Sequence, residues 1–412
     1  MYELAKNVKI EFIPSKKFKE ITYMFKFVKN YNPNDALADI CLTELIGEYS
    51  KLYPTKSSMA KIKNNLYGNR VGAIRQISTD YETISFYYHF INPKYAKDMS
   101  FKDQCEYIKE TLLNPLFNDD LISEFKRLYT DKILRRFENP GAILKENVLS
   151  LIGCQNHLSY LLSDHRDLIA GLNLDSLKAA YNKMLNESTI YIYVIGDFDS
   201  SILLKYFKQL SFKDRNLTEI KSQKVLIDNL GFHVDCKDFS QSYLNVVYQC
   251  DYSNADQDYY KWLVTDAFLG MIPNSLLFKE IREKRSLCYS ISSQLYKPDG
   301  LSIISVAFSY KDYDEIIKLI EECINKLANG NFDLKDFDAA KTYIANIMLS
   351  NEDDAKTYVN YLHSRNILKS KLSIREVAEL IADVKPQDVS AVAKTYQQRL
   401  IYVLRGKQDG IN

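Results

Sequence analysis

Five histidines, His89, His157, His165, His233 and His363, are the side chains of this sequence best suited to hold a metal or move a proton near neutral pH. No two stand four positions apart, so no helix presents a pair of imidazoles to one ion as the HxxEH and HExxH patterns do. His157 and His165 are separated by eight positions, with Asp164 beside the second, and read as ordinary surface or core residues. The acidic run Glu352, Asp353 and Asp354 offers carboxylates to a cation, but it follows the helical stretch Tyr343 to Leu349 and reads as a solvated turn. There is no GxSxG elbow for a nucleophilic serine, and no GxGxxG or GxxxxGK[ST] loop to cradle a phosphate.

The segment Asn274 to Tyr296, NSLLFKEIREKRSLCYSISSQLY, is the most informative. Ser275 can cap a short helix whose apolar side is Leu276, Leu277 and Ile281 and which ends near Arg285. Leu287, Tyr289 and Ile291 then alternate with Cys288, Ser290 and Ser292, the period of a strand. By themselves Arg282, Glu283, Lys284 and Arg285 form a solvated charge run at a helix C-terminus, where the dipole favours cations. Tyr289 is then an ordinary sheet residue.

The elements that position these residues recur twice. Ile21, Tyr23, Phe25 and Phe27 take every second position, as do Leu244, Val246, Tyr248 and Cys250. Each set precedes a helical segment ending in glycine, Ala36 to Gly47 and Tyr259 to Gly270, with the two glycines 223 positions apart. Each half closes with an Ala-rich helix carrying a tyrosine (Tyr181, Tyr396) and an apolar strand ending in glycine (Gly196, Gly406). Asp175 and the stretch Pro386 to Asp388 are candidate helix starts. A tandem duplication accounts for the pattern. It predicts an α+β fold of two similar domains, each a mainly antiparallel sheet with helices on one face, over residues 1–211 and 224–412. The polar stretch Phe212 to Gln223 is the expected linker.

Composition narrows the function classes. In 412 residues, Lys+Arg 54 against Asp+Glu 53 leaves a net charge of +1, without the basic excess a nucleic-acid binder uses to displace counterions. Seven dispersed cysteines without a CxxC argue for reduced, mostly buried thiols in a cytosolic protein. Met1 to Lys9 lacks the apolar core of a signal peptide, and the apolar run Ile190 to Ile195 is far short of a membrane span. A cytoplasmic location and no membrane partner are expected.

The duplicated halves, the Gly196–Asp197 pair closing a strand, and the run SLLFKEIREKRSLCYS resemble the M16 (insulinase-like, pitrilysin-type) zinc peptidases over nearly the full chain. In that family the second domain carries Arg and Tyr seven positions apart in LREKxxLxYS, the spacing of Arg282 and Tyr289, with Ile281 replacing the leading leucine. The resemblance implies a LuxS/MPP-like metallohydrolase fold. Catalytic members place HxxEH on the first-domain helix, some ten residues before a YP dipeptide. Here that helix is Ala36 to Gly47, with Tyr53–Pro54 beyond it, and the matching positions are Ile40, Thr43 and Glu44. Isoleucine cannot ligate zinc, and threonine cannot serve as the general base for a bound water.

The resemblance is therefore to the non-catalytic YmfF/YfmF-like group, which accompanies a separate HxxEH-bearing chain. It implies that this chain binds no cofactor, that the zinc is in the partner, and that Arg282 and Tyr289 act in trans on a peptide substrate. Tyr289 would offer its hydroxyl to the developing oxyanion, and Arg282 would anchor a carbonyl or carboxylate. A first-domain edge strand within Ile74 to Tyr88 would hold an extended peptide. A homodimer is the other possible assembly. The competing reading is a structural or peptide-binding scaffold of the same fold with no role in catalysis.

Overall fold

The computed structural model describes residues 1–78, 81–153, 165–215, 217, 226–250 and 256–407. Its strands are β1 (Tyr2–Ala5), β2 (Val8–Pro14), β3 (Glu20–Asn30), β4 (Arg70–Ser78), β5 (Tyr81–Ile91), β6 (Thr189–Gly196), β7 (Gly231–Lys237), β8 (Ser242–Gln249), β9 (Cys288–Tyr296), β10 (Leu301–Phe308) and β11 (Gln397–Gly406). The helices before β7 are α1 (Ala36–Leu45), α2 (Lys56–Asn65), α3 (Phe101–Leu113), α4 (Asp119–Arg136), α5 (Pro140–Ile152), α6 (His165–Ile169), α7 (Leu174–Glu187) and α8 (Ser200–Lys208). After it come α9 (Asp256–Asp266), α10 (Tyr313–Ala328), α11 (Leu334–Ser350), α12 (Ala355–Ile367), α13 (Ile374–Ala382) and α14 (Pro386–Ala393). Among the described residues no helix is long and apolar enough to cross a membrane.

The chain divides into two compact units. One takes Met1–Ile133, Leu162–Ser222 and Ala355–His363; the other takes Leu134–Leu161, Gln223–Asp354 and Ser364–Asn412. Of the expected linker, only residues 212–215 and 217 are described.

In the first unit the sheet order is β1-β2-β6-β3-β5-β4, with β2 parallel to β6 and the other neighbours antiparallel. The period-two residues of β3 behave as their spacing predicts. Tyr23 packs edge-on to Phe90, Phe25 to Tyr88 and Phe27 to Phe86, and Phe207 of α8 joins the cluster. The alternate residues are buried too. Met24, Tyr193 and Ile195 pack with Val359 and Leu362 of α12, a helix from the second half of the sequence.

The second unit has the order β7-β11-β8-β10-β9, with β7 parallel to β11 and the rest antiparallel. Strand for strand this repeats β2-β6-β3-β5-β4, in order and in sense. The exchange of helices is reciprocal: Ile143, Leu144, Val148 and Ile152 of α5 pack on Val247, Ile303, Leu400 and Leu404 of the second sheet. Gly47 and Gly270, the paired glycines of the sequence repeat, both lie against an edge strand. A Cβ would stand 2.5 Å from Val71 of β4 at the first and 2.9 Å from Ser293 of β9 at the second. Gly47 also has φ +93°, which favours glycine.

Two helix starts differ from the expectation. The cap of α7 is Asn173, whose side chain accepts from Ser176 N–H at 2.9 Å, so Asp175 lies inside the first turn. Ser275 stands at the expected start, its carbonyl accepting from Lys279 N–H at 3.0 Å, but its hydroxyl is buried without a partner and makes no cap bond. Pro386 occupies the first turn of α14 as its fixed φ suits. The acidic run forms a short turn, Asn351–Asp353, between α11 and α12. His165 is buried with Nδ1 3.3 Å from the Tyr129 hydroxyl, whereas His157 and Asp164 lie outside the described residues.

Candidate functional site

Helix α1 carries the three positions that the sequence resemblance matches to a metal motif. Ile40 and Thr43 are half-buried and Glu44 is exposed. Thr43 donates its hydroxyl back to the Ile40 carbonyl at 2.7 Å, and Glu44 lies 3.7 Å from Lys132 of α4. A cavity of about 380 Å³ opens beside them, lined by Leu45, Tyr49, Leu121, Phe125 and Tyr129. Its other carboxylates also have ammonium partners: Glu124 with Lys56 at 3.2 Å and Glu48 with Lys63 at 2.9 Å. Exposed pairs of this kind contribute little stability. They do mean that each carboxylate lining the cavity already has an ammonium beside it.

No group of three or more His, Cys, Asp or Glu side chains among the described residues could hold a metal ion. Zinc takes three or four N, S or O donors at about 2 Å. One paired glutamate beside an isoleucine and a threonine does not supply them, so the α1 positions do not fit the ion.

Directly behind Ile40 lies a buried ionic network that alternation in the sequence does not announce. Asp39 of α1 accepts from Lys29 Nζ of β3 at 2.8 Å; Lys29 is 3.4 Å from Glu82 of β5, and Arg75 Nε of β4 is 2.5 Å from the same carboxylate. Desolvation, reinforced by the charge of Glu82, pushes the Asp39 carboxyl up to about 7. The network ties α1 to three strands and fixes the helix that in relatives would carry the motif.

The second unit positions the Arg–Tyr pair by two departures from regular structure. The backbone over Ala267–Met271 and again over Phe278–Glu283 widens to i→i+5 hydrogen bonding; Ile272 N–H donates to Ala267 and Lys284 N–H to Lys279. Such widened turns occur often at functional sites. The second of them places Arg282 over the Phe278 ring, 4.9 Å from its centroid. The charge run is thereby sorted: Lys284 and Arg285 bind Glu280 at 2.8 and 3.2 Å, while Arg282 is exposed with no carboxylate partner among the described residues. Hydrogen bonding from Lys284, then from Arg285, draws the Glu280 carboxyl down from its usual range, despite partial desolvation.

The chain then turns through Ser286, φ +54°, and Leu287 N–H donates to the Ile281 carbonyl at 3.1 Å. At Tyr289 the strand departs from the alternation read in the sequence. Phe308 of β10 pairs with Cys288 and Ala307 with Ser290, so Tyr289 is the extra residue of a β-bulge. Consequently Tyr289 and Ser290 are both exposed between buried Cys288 and Ile291, and Tyr289 keeps 59% of its surface free. Bulges re-aim side chains in this way beside binding sites. Burial lifts the Cys288 thiol to about 11, opposed by the charge of Arg282.

Behind the strand Asp266 anchors it. Ser293 of β9 donates to Asp266 Oδ2 at 2.7 Å, Ser302 of β10 donates to Oδ1, and the Tyr396 hydroxyl lies 3.3 Å from Oδ1. Complete burial raises the Asp266 carboxyl, against those three hydrogen bonds. A groove of about 250 Å³ on the same sheet is lined by Asn245, Ser290, Ser292, Gln294 and Ser305. In the first unit, β4 is the edge strand, whereas β5 is paired on both sides, so of the expected peptide-binding region, Ile74 to Tyr88, only the β4 part, residues 74–78, offers a free edge.

Comparison with known proteins agrees with this architecture. Residues 171–344 match the family model described as the Peptidase M16 inactive domain. The chain is 23% identical to the probable inactive metalloprotease YmfF of Bacillus subtilis (strain 168), covering 96% of this chain and 95% of that one. Among solved structures, a conserved protein from Enterococcus faecalis V583 superposes with a TM-score of 0.91 at 21% identity, over 99% of each chain. A peptidase M16 inactive domain from Pseudomonas fluorescens gives 0.80 at 15% identity, over 98% of this chain and 97% of that one.

Proposed function

The chain is an inactive M16-like protein, and from that premise we propose that it is the non-catalytic subunit of a two-chain zinc metallopeptidase. The observation that carries the reading is an exposed Arg282 and a bulge-presented Tyr289 in the same protein whose α1 positions, Ile40, Thr43 and Glu44, cannot ligate zinc. Peptide hydrolysis needs a metal-activated water, a base, and donors aimed at the oxygen that gains charge; the donors need not share a chain with the metal. In this reading an HxxEH-bearing homologue holds the zinc and the base. Tyr289 donates its hydroxyl to the carbonyl oxygen of the peptide bond under attack. Arg282 grips a neighbouring carbonyl or the terminal carboxylate with its planar fork. An extended peptide adds to the free edge of β4 through main-chain hydrogen bonds, which fits a cytoplasmic enzyme acting on unfolded peptides.

Co-expression with an HxxEH-bearing homologue of similar length tests the proposal. The expected result is a stoichiometric heterodimer with one zinc per pair and peptidase activity absent from either chain alone. A partner fully active without this chain would contradict it. The second reading, a peptide-binding scaffold, draws on the groove beside Ser290 and Ser292, where polar side chains alternate with apolar ones such as Leu144, Val148 and Ile303. It predicts peptide affinity in the isolated chain and no change in a partner's turnover.

A further inference from the structure

The two sheets match strand for strand except at one edge. In the first unit β1 pairs antiparallel with β2 and closes that side of the sheet. Among the described residues no strand pairs with the outer side of β7, the counterpart of β2. All seven residues of β7 are exposed, Phe232 at 51% and Val234 at 39%.

The direction of its free backbone groups follows from the ladder. The register with β11 runs without a break from Leu400↔Gly231 to Gly406↔Lys237, and Lys407 N–H donates to the Lys237 carbonyl at 2.8 Å. Alternate residues of a parallel strand face the neighbour, so His233, Asp235 and Lys237 face β11. The N–H and C=O of Phe232, Val234 and Cys236 therefore point away from the sheet.

Two other edges carry devices that discourage pairing: β1 is four residues long with an irregular register, and β9 is bulged at Tyr289. β7 has neither proline nor bulge and its register is regular, although it carries Asp235 and Lys237. A regular unpaired edge of this length is a template for pairing with another chain.

We propose that a second copy of this chain covers it, β7 pairing antiparallel with β7 about a two-fold axis through Val234. The sequence GFHVDCK is self-complementary in that register. Val234 faces its own copy, Phe232 faces Cys236, His233 faces Asp235 and Gly231 faces Lys237, so no like charges are opposed and His233 meets a carboxylate. The outward groups of residues 232, 234 and 236 all find partners. A two-fold contact uses the same patch on both molecules and closes without propagating. A single strand pair is small against the roughly 1,000 Å² of a stable interface, so the dimer is weak and concentration-dependent.

The test uses the full chain. Sedimentation velocity across a concentration series should show a monomer–dimer equilibrium, and V234K, which opposes two lysines on the axis, should shift it to monomer with an unchanged melting temperature. F232C should form an interchain disulfide with the natural Cys236 under diamide, because the two stand directly opposite; within one chain they are four strand residues apart and cannot bond. The parent chain should not cross-link through Cys236. A monomer at every concentration, a dimer indifferent to V234K, or a dimer that F232C does not cross-link would each overturn the proposal. So would protection of the β7 amides from hydrogen exchange only on binding a different protein, which would give the edge to that partner.

Discussion

Thr43 returns its hydroxyl to the carbonyl of Ile40, 2.7 Å away and one turn back along α1. The position where an active relative would hold its general base is thus bonded to its own helix, at the residue where it would hold a metal ligand. Lys132 faces the remaining carboxylate, Glu44. These local contacts leave α1 without a free base or a metal ligand at the three positions, and they shape what each substitution should do.

Glu44→Ala is expected to be silent. Glu44 is exposed and paired with a lysine, so its loss should leave the heterodimer's zinc content and peptidase rate within about twofold of wild type, as exposed ion pairs contribute roughly 0–1 kcal/mol. Metal analysis and a peptide-cleavage assay on the purified pair would check it.

Lys29→Met should destabilise the first unit in a pH-dependent way. It leaves Asp39 without its ammonium partner, and breaking a buried pair from one side typically costs about 3–5 kcal/mol. The folded-state carboxyl of Asp39 titrates at about 7, above its unfolded value, so the folded state holds the extra proton between roughly pH 4 and 7. A protonated Asp39 needs no counterion. The loss measured by urea unfolding should therefore be full at pH 8 and clearly smaller at pH 5; an equal loss at both would contradict the charge argument.

His363 makes the fold acid-sensitive. It is buried, with Nδ1 3.3 Å from the Tyr193 hydroxyl, and desolvation followed by the charge of Lys26 lowers its pKa well below 6.5. A depressed histidine withholds nothing above its unfolded pKa, while below it the unfolded chain takes a proton the folded chain refuses. Stability should fall by about 1.4 kcal/mol per pH unit below 6.5 from this group alone. Unfolding of His363→Gln followed from pH 7 to 5 should show a shallower slope than wild type.

Ser293→Ala removes one of three hydroxyl donors to buried Asp266 and should cost about 1–3 kcal/mol in global unfolding. It also loosens β9 where that strand presents Tyr289. Hydrogen exchange should quicken first in Cys288–Tyr296 if the anchor works as described.

How far the sequence reveals this molecule depends on whether a feature is local. Ile21, Tyr23, Phe25 and Phe27 announce β3 because one face of the strand is apolar at period two, and the glycine spacing announces the repeat because Gly47 and Gly270 meet the same steric demand at two edge strands. Val359 and Leu362 say only that α12 has an apolar side; that this side covers the sheet of the other half is a matter of long-range packing. The same cover explains Lys26, polar at an outward-reading position yet buried against Asn360 and Ser85 and lowered to about 8 by desolvation and the charge of Lys356. Tyr289 sat in a readable strand, but a single inserted residue re-aims it, and nothing in LCYSIS marks where the register slips.

Tyr289→Phe in the zinc-loaded heterodimer tests the central claim most directly. Removing the one hydroxyl, with the ring and the bulge retained, should reduce kcat for a peptide substrate by about 10²–10³ while zinc content and assembly stay unchanged. A turnover equal to that of the wild-type pair would show that Tyr289 takes no part in the chemistry, and the chain would then be a scaffold.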